Sequence, residues 1–101
     1  MATSGLVVMS QMADEAAGLM RALSHGARLR VLCELVSGEK SAGELVAASG
    51  LSQSALSQHL ARLRSSGLVA TRRDARTIFY SLSDPRAERV IGLLFDLYCR
   101  N

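Results

Sequence analysis

Few side chains in this sequence have the types and spacing that chemistry needs. Two are cysteines, Cys33 and Cys99, and two are histidines, His25 and His59. A further set is a run of short hydroxyl and amide side chains, Gln53, Ser54, Ser57 and Gln58, followed at once by Arg62 and Arg64. A cysteine nucleophile needs a base within hydrogen-bond reach and a group that orients the base. His25 starts the segment that carries Cys33 but lies about two helical turns from it, beyond direct reach. His59 falls inside the hydroxyl and amide run, so a cysteine enzyme is not expected. In a reducing compartment two cysteines are not a disulfide framework either. Hydroxyls and amides flanked by arginine can do something else: they read base edges in a DNA major groove while the cations tolerate nearby phosphates.

Residues 51–67 are the element that must position this set. Ser52 suits an N-cap, Leu51 and Leu56 sit where a hydrophobic staple would close over it, and Gly67 follows the last turn. At about 100° per residue Leu56, Leu60 and Leu63 share one narrow stripe. Ser54, Ser57, Gln58, Ala61 and Arg62 fall opposite, and no acidic residue occurs along the helix. Taken alone, such a face is either a DNA-reading face or simply a solvated one. Its surroundings favour the former. Between Ser52 and Tyr80 stand Arg62, Arg64, Arg72, Arg73 and Arg76 against Asp74 alone, which is +4 in a chain whose formal charge is +3. The basic character is therefore local, and no segment joins a basic face to a broad apolar one as a membrane-surface helix would.

The 101 residues, 49% hydrophobic, predict one small domain able to fold without metals or disulfides. Residues 1–10 have no positive flank and a short apolar stretch, so they are expected to be a flexible tail of a cytoplasmic protein, with residues 11–101 as the domain. Ala16, Leu19, Met20 and Leu23 follow helical spacing within 11–23. A second helix is predicted from about Ser24 to Val36, with Leu29, Leu32, Cys33 and Val36 as its buried stripe. Ser41 with Glu44 makes a capping box for a short helix over 41–50, closed by Gly50. Two capped helices so tightly joined make a helix-turn-helix. Beyond Gly67, residues 68–71 and 77–82 read as strands around an arginine-rich turn over 72–76, a hairpin placed as a wing to reach the phosphate backbone. Asp84-Pro85 starts a last helix. Its apolar face is too wide for one contact, and the first helix has the same excess. A two-fold dimer through Leu19, Leu23, Ile91, Leu94, Leu97 and Tyr98 is the expected solution. The predicted fold is thus mainly α with a small β-hairpin, in the order helix, helix, helix, helix, strand, strand, helix.

The run Leu23-Ser24-His25, then Arg28-Leu29-Arg30-Val31-Leu32, then Gly50-Leu51-Ser52-Gln53-Ser54-Ala55-Leu56-Ser57-Gln58-His59-Leu60, then Gly67-Leu68-Val69 and the hairpin ending Phe79-Tyr80-Ser81-Leu82, resembles the ArsR/SmtB family of bacterial winged-helix repressors. The resemblance spans roughly residues 13–99. It implies a homodimer on double-stranded operator DNA, an imperfect palindrome, released when an inducer binds or modifies the protein. It implies no cofactor. Where metal-sensing members place Cys-x-Cys, this sequence has Ser41-Ala42-Gly43, and its last helix has no histidine, so no metal is expected through the familiar sites. His59 is expected to be a satisfied packing histidine. Cys33 and Cys99 resemble the pair in the BigR, SqrR and HlyU branch, whose sensors respond to sulfane sulfur. That resemblance implies a persulfide or polysulfide inducer. Arg30 and Arg100 lie nearby in the sequence as cations that would favour a thiolate. The alternative is a repressor that senses general thiol oxidation, or a metal at a non-standard site, with structural cysteines.

Overall fold

The computed structural model describes residues 2–99. Its elements run α1 (Ala2–Gln11), α2 (Ala13–Leu23), α3 (Gly26–Val36), β1 (Lys40–Ser41), α4 (Ala42–Ser49), α5 (Gln53–Ser65), β2 (Val69–Asp74), β3 (Thr77–Leu82) and α6 (Pro85–Tyr98). The winged helix-turn-helix expected from the sequence is present, with two additions. Where a loose tail was expected, the chain forms α1, separated from α2 only at Met12. Leu6, Val7, Val8 and Met9 on α1 are exposed in the protomer. The second addition is β1, which pairs antiparallel with β3, Lys40 opposite Tyr80 and Ser41 opposite Phe79. The sheet order is therefore β1-β3-β2.

Local sequence explains most boundaries. His25 caps α3, its Nδ1 accepting from the Ala27 N–H at 3.1 Å. Ser41 ends β1 and caps α4 at once: its Oγ accepts from the Glu44 N–H while the Glu44 carboxylate accepts from the Ser41 N–H, the reciprocal capping box. Gly50 closes α4 at φ 71°, a left-handed conformation that a side chain would resist. Gly67, at φ 77°, does the same for α5. There the Leu68 N–H bonds back to Leu63 O and the Gly67 N–H to Arg64 O, a Schellman closure whose flanking Leu63 and Leu68 are both buried. Asp84 caps α6 ahead of Pro85, and Arg86 ties that end to Glu15 of α2 at 2.8 Å.

The core gathers Leu23, Val31, Leu32, Leu35, Leu45, Leu56, Leu60, Leu63, Leu68, Val69 and Ile91, one stripe from nearly every element. This corrects two expectations. On α3 the buried stripe is Ala27, Val31, Leu32 and Leu35, whereas Cys33 and Val36 are exposed. Leu23 and Ile91, expected at a dimer interface, are 4% and 3% exposed and belong to the protomer core. Leu19 and Leu94 are half-buried, and Leu97 and Tyr98 are exposed. Exposed apolar side chains include Leu93, Phe95, Leu97 and Tyr98 of α6, Met20 of α2 and Leu6, Val7, Val8 and Met9 of α1. No described helix is long and apolar enough to cross a membrane.

Candidate nucleic-acid interface and cysteine pair

The turn between α4 and α5 is set by Ser49, a residue the sequence reading missed. Its buried hydroxyl accepts from the Leu51 N–H at 3.2 Å and donates to Val46 O at 3.5 Å, holding the three-residue connection in one shape. Ser52 then caps α5 by accepting from the Ala55 N–H at 3.2 Å. Leu56, Leu60 and Leu63 lock the helix to the core. That leaves Gln53, Ser54, Ser57, Gln58, Ala61 and Arg62 exposed together on its other side, as the periodicity predicts. Ser54 lies 3.5 Å from the Ser52 hydroxyl, while Gln53, Ser57 and Gln58 have no hydrogen-bond partner among the described residues. Their donors and acceptors are not committed to the protein and can meet base edges.

The wing is longer and its turn tighter than expected. Strand β2 runs through Asp74, so Arg72 and Arg73 are strand residues opposite Phe79 and Ile78. Only Ala75 and Arg76 make the turn, with Ala75 at φ 56°. Arg72 is engaged within the protomer. Its Nε and Nη2 donate to Glu39 at 3.0 and 2.7 Å, and its guanidinium lies 4.7 Å from the Phe79 ring centre. This pair holds the Glu39 carboxyl below the usual carboxylate range and braces the wing against the segment leading into β1. Arg73 and Arg76 are exposed without an ion pair among the described residues, as are Arg62 and Arg64 on α5.

His59 is not the satisfied packing residue expected. Its ring stands 4.7 Å from that of His25, tilted by 55°, and its buried Nδ1 has no hydrogen-bond partner among the described residues. Burial first, then the charges of His25, Arg28 and Arg62, push it below the usual histidine range.

The cysteines lie on α3 and at the end of α6. Cys33 borders an apolar groove of about 420 Å³ with Val36, Ile91, Gly92, Phe95 and Asp96. Cys99 caps α6, its N–H donating to Phe95 O at 2.8 Å, and is exposed. Both thiols are free. Burial pushes the Cys33 thiol up, and the charges of Cys99 and Glu34 add to the effect. The expected help from Arg30 is not what governs Cys33, and Arg100 lies outside the described residues. Among the described residues no three of His, Cys, Asp or Glu come together as a metal site.

Comparison with known proteins agrees with this geometry. Residues 25–71 match the family described as bacterial regulatory protein, arsR family. The transcriptional activator HlyU of Vibrio cholerae is 46% identical over 99 residues, covering 98% of this chain and 92% of its own. The solved structure of the transcriptional repressor BigR from Xylella fastidiosa superposes with a TM-score of 0.87 at 43% identity, covering 92% of this chain and 95% of that one. The homodimeric winged helix-turn-helix DNA-binding domain of Mb0332 from Mycobacterium bovis, described as a possible ArsR-family regulator, has a TM-score of 0.76 at 28% identity, with coverages of 87% and 82%.

Proposed function

Because this chain belongs to the ArsR family of bacterial regulatory proteins, we propose that it acts as a homodimeric repressor whose hold on operator DNA is released by reactive sulfur. The observation that carries the DNA-binding half is the exposed α5 face, on which Gln53, Ser57 and Gln58 lack protein partners and no carboxylate intrudes. With Ser54, these residues enter the major groove. Arg62, Arg64, Arg73 and Arg76 meet phosphates, while Arg72 braces the wing through Glu39. A homodimer, as Mb0332 is described to be, with two-fold symmetry would set two such helices about 34 to 36 Å apart on an imperfect palindrome.

The inducer half rests on the cysteines. The raised Cys33 thiol slows peroxide and persulfide alike, so selectivity rests on reach: a plain disulfide needs Cα atoms about 4.4 to 6.8 Å apart, and inserted sulfur relaxes that requirement. A persulfide donor, RS–SH, offers another route: a cysteine thiolate attacks its outer sulfur, forming a protein persulfide and releasing RS⁻. When both cysteines carry the extra sulfur, the terminal sulfur of Cys33 attacks the inner sulfur of the Cys99 persulfide and displaces hydrosulfide, closing a three-sulfur bridge. Each added sulfur lengthens the span by up to about 2 Å over a disulfide. The bridge draws the end of α6 toward α3 and shifts the helix that carries the free apolar surface, altering the spacing of the two reading helices.

A gel shift on the DNA upstream of the gene tests both halves. The reduced protein should bind and the persulfide-treated protein should release, with a mass gain of bridged sulfur. Cys33→Ser and Cys99→Ser should each bind and fail to respond. Normal induction of either variant, or an equal response to peroxide through a plain disulfide, would refute the sensing mechanism.

A further inference from the structure

A basic trough runs along the flank of α5, distinct from the cysteines and sharing only Gln58 with the base-reading set. Two cavities of about 670 and 230 Å³ share Arg28 and Arg62. The larger is also lined by Arg21 of α2, and the smaller by His25, Gln58 and His59. Neither has an Asp or Glu in its lining. Two of the lining residues carry a buried nitrogen, Arg28 Nε and His59 Nδ1, with no hydrogen-bond partner among the described residues. A buried polar group left unmade is costly, and such a group in a native fold calls for a missing partner. The His25 Nδ1 is occupied as the cap acceptor for the Ala27 N–H, so its ring proton sits on Nε2. Among the described residues, the titratable or charged groups facing His59 are His25, Arg28 and Arg62. All are basic, so the trough repels metal ions and offers donors that lack an acceptor. Its natural occupant is an anion. Gln58 and Arg62 also belong to the exposed side of α5, so the trough opens beside the face offered to DNA.

We propose that this trough seats one backbone phosphate of the bound DNA, gripped by Arg28 and Arg62, with His25 and His59 placed to donate to the same phosphate. This rests on the DNA-binding reading above and adds α3 to the elements that hold the duplex. It also links binding to a proton. His59 is driven toward its neutral form in the free protein, and a phosphate charge beside it favours the protonated form. DNA affinity should then rise as pH falls through the bound-state titration of His59, and level off once the free protein is protonated as well.

The test uses the full chain and a fluorescein-labelled duplex from its own upstream DNA, followed by anisotropy. Circular dichroism checks that each variant is folded. Arg28→Gln and Arg62→Gln should each lower the slope of log K against log salt, and together by about 0.9, the value of one phosphate. In a scan of single methylphosphonate substitutions, neutralising one particular phosphate should weaken the unmodified protein several-fold, each single variant less, and the Arg28→Gln/Arg62→Gln double variant not at all. The tightening between about pH 8 and about pH 6 should flatten in His59→Gln. Arg62 is exposed, so Arg62→Gln carries the test even if Arg28→Gln fails to fold. An unchanged salt slope and methylphosphonate profile in the folded variants would overturn the phosphate seat while leaving DNA binding intact. Failure of the unmodified chain to bind any duplex would overturn both. Inorganic phosphate at constant ionic strength, moving the histidine ring resonances as far as the duplex does, would make the trough a small-anion site and overturn its assignment to DNA.

Discussion

Ser57 and Gln58 differ from the wing arginines in what they can recognise. Their groups have direction and no net charge, so they distinguish one base edge from another. Ser57→Ala or Gln58→Ala should cost about 1 to 3 kcal/mol against the cognate operator and little against random duplex, measured by competition anisotropy. Equal losses on both DNAs would assign them to positioning. Arginine on phosphate carries charge and no sequence. Replacing Arg73 or Arg76 with Ala should weaken all duplexes alike and reduce the salt slope by about 0.9 per lost contact. Arg72→Ala should change that slope less, because its guanidinium is already bound by Glu39. A larger change at Arg72 than at Arg73 would show that the Glu39 pair opens on DNA. The cysteines mark the limit of reading single residues from sequence. Leu29, Cys33 and Val36 have helical spacing as good as that of Ala27, Val31 and Leu35. Which of two adjacent apolar stripes is buried depends on where α6 lies, and α6 leaves a groove open beside Cys33.

Elements were legible where their signals are local. The capping box of α4, the Ser52 cap and the glycine closures at Gly50 and Gly67 all join residues a few positions apart. Strand β1 was not legible, because two residues carry no periodicity and their partners, Tyr80 and Phe79, are distant in sequence. The break of α1 from α2 at Met12 is not marked by glycine or proline. Nor could sequence assign Ser49, whose hydroxyl matters only once the turn has closed around it. Since α5 is held by its cap as well as by three buried leucines, Ser52→Ala should destabilise the protein by about 0.5 to 2 kcal/mol in urea denaturation. Because the leucines stay seated, DNA specificity should be retained at temperatures where the variant is fully folded. Lost discrimination without lost stability would mean that the cap positions Gln53 and Ser54 rather than the helix.

At the scale of the whole molecule, exposed apolar surface decides where a second copy docks. Leu93 and Leu97 stand one helical turn apart on α6, 56% and 65% exposed, with Tyr98 beside them at 82%. Exposed leucines contribute little to the protomer core, so a charge placed there should spare folding and oppose burial against another apolar face. Leu97→Arg should keep the helical dichroism and melting temperature of the protomer yet sediment as a monomer. It should also bind a full palindrome no better than a single half-site, because two reading helices are no longer held at fixed separation. Ile91→Ala should behave in the opposite way. Its side chain is 3% exposed inside the protomer, so the change should cost about 2 to 5 kcal/mol of folding free energy through the cavity it leaves. Sedimentation of the folded fraction should then still report the dimer. If Leu97→Arg remained dimeric while Ile91→Ala dissociated without unfolding, the interface would lie on the inner side of α6, and the surface exposed in the protomer would have another role.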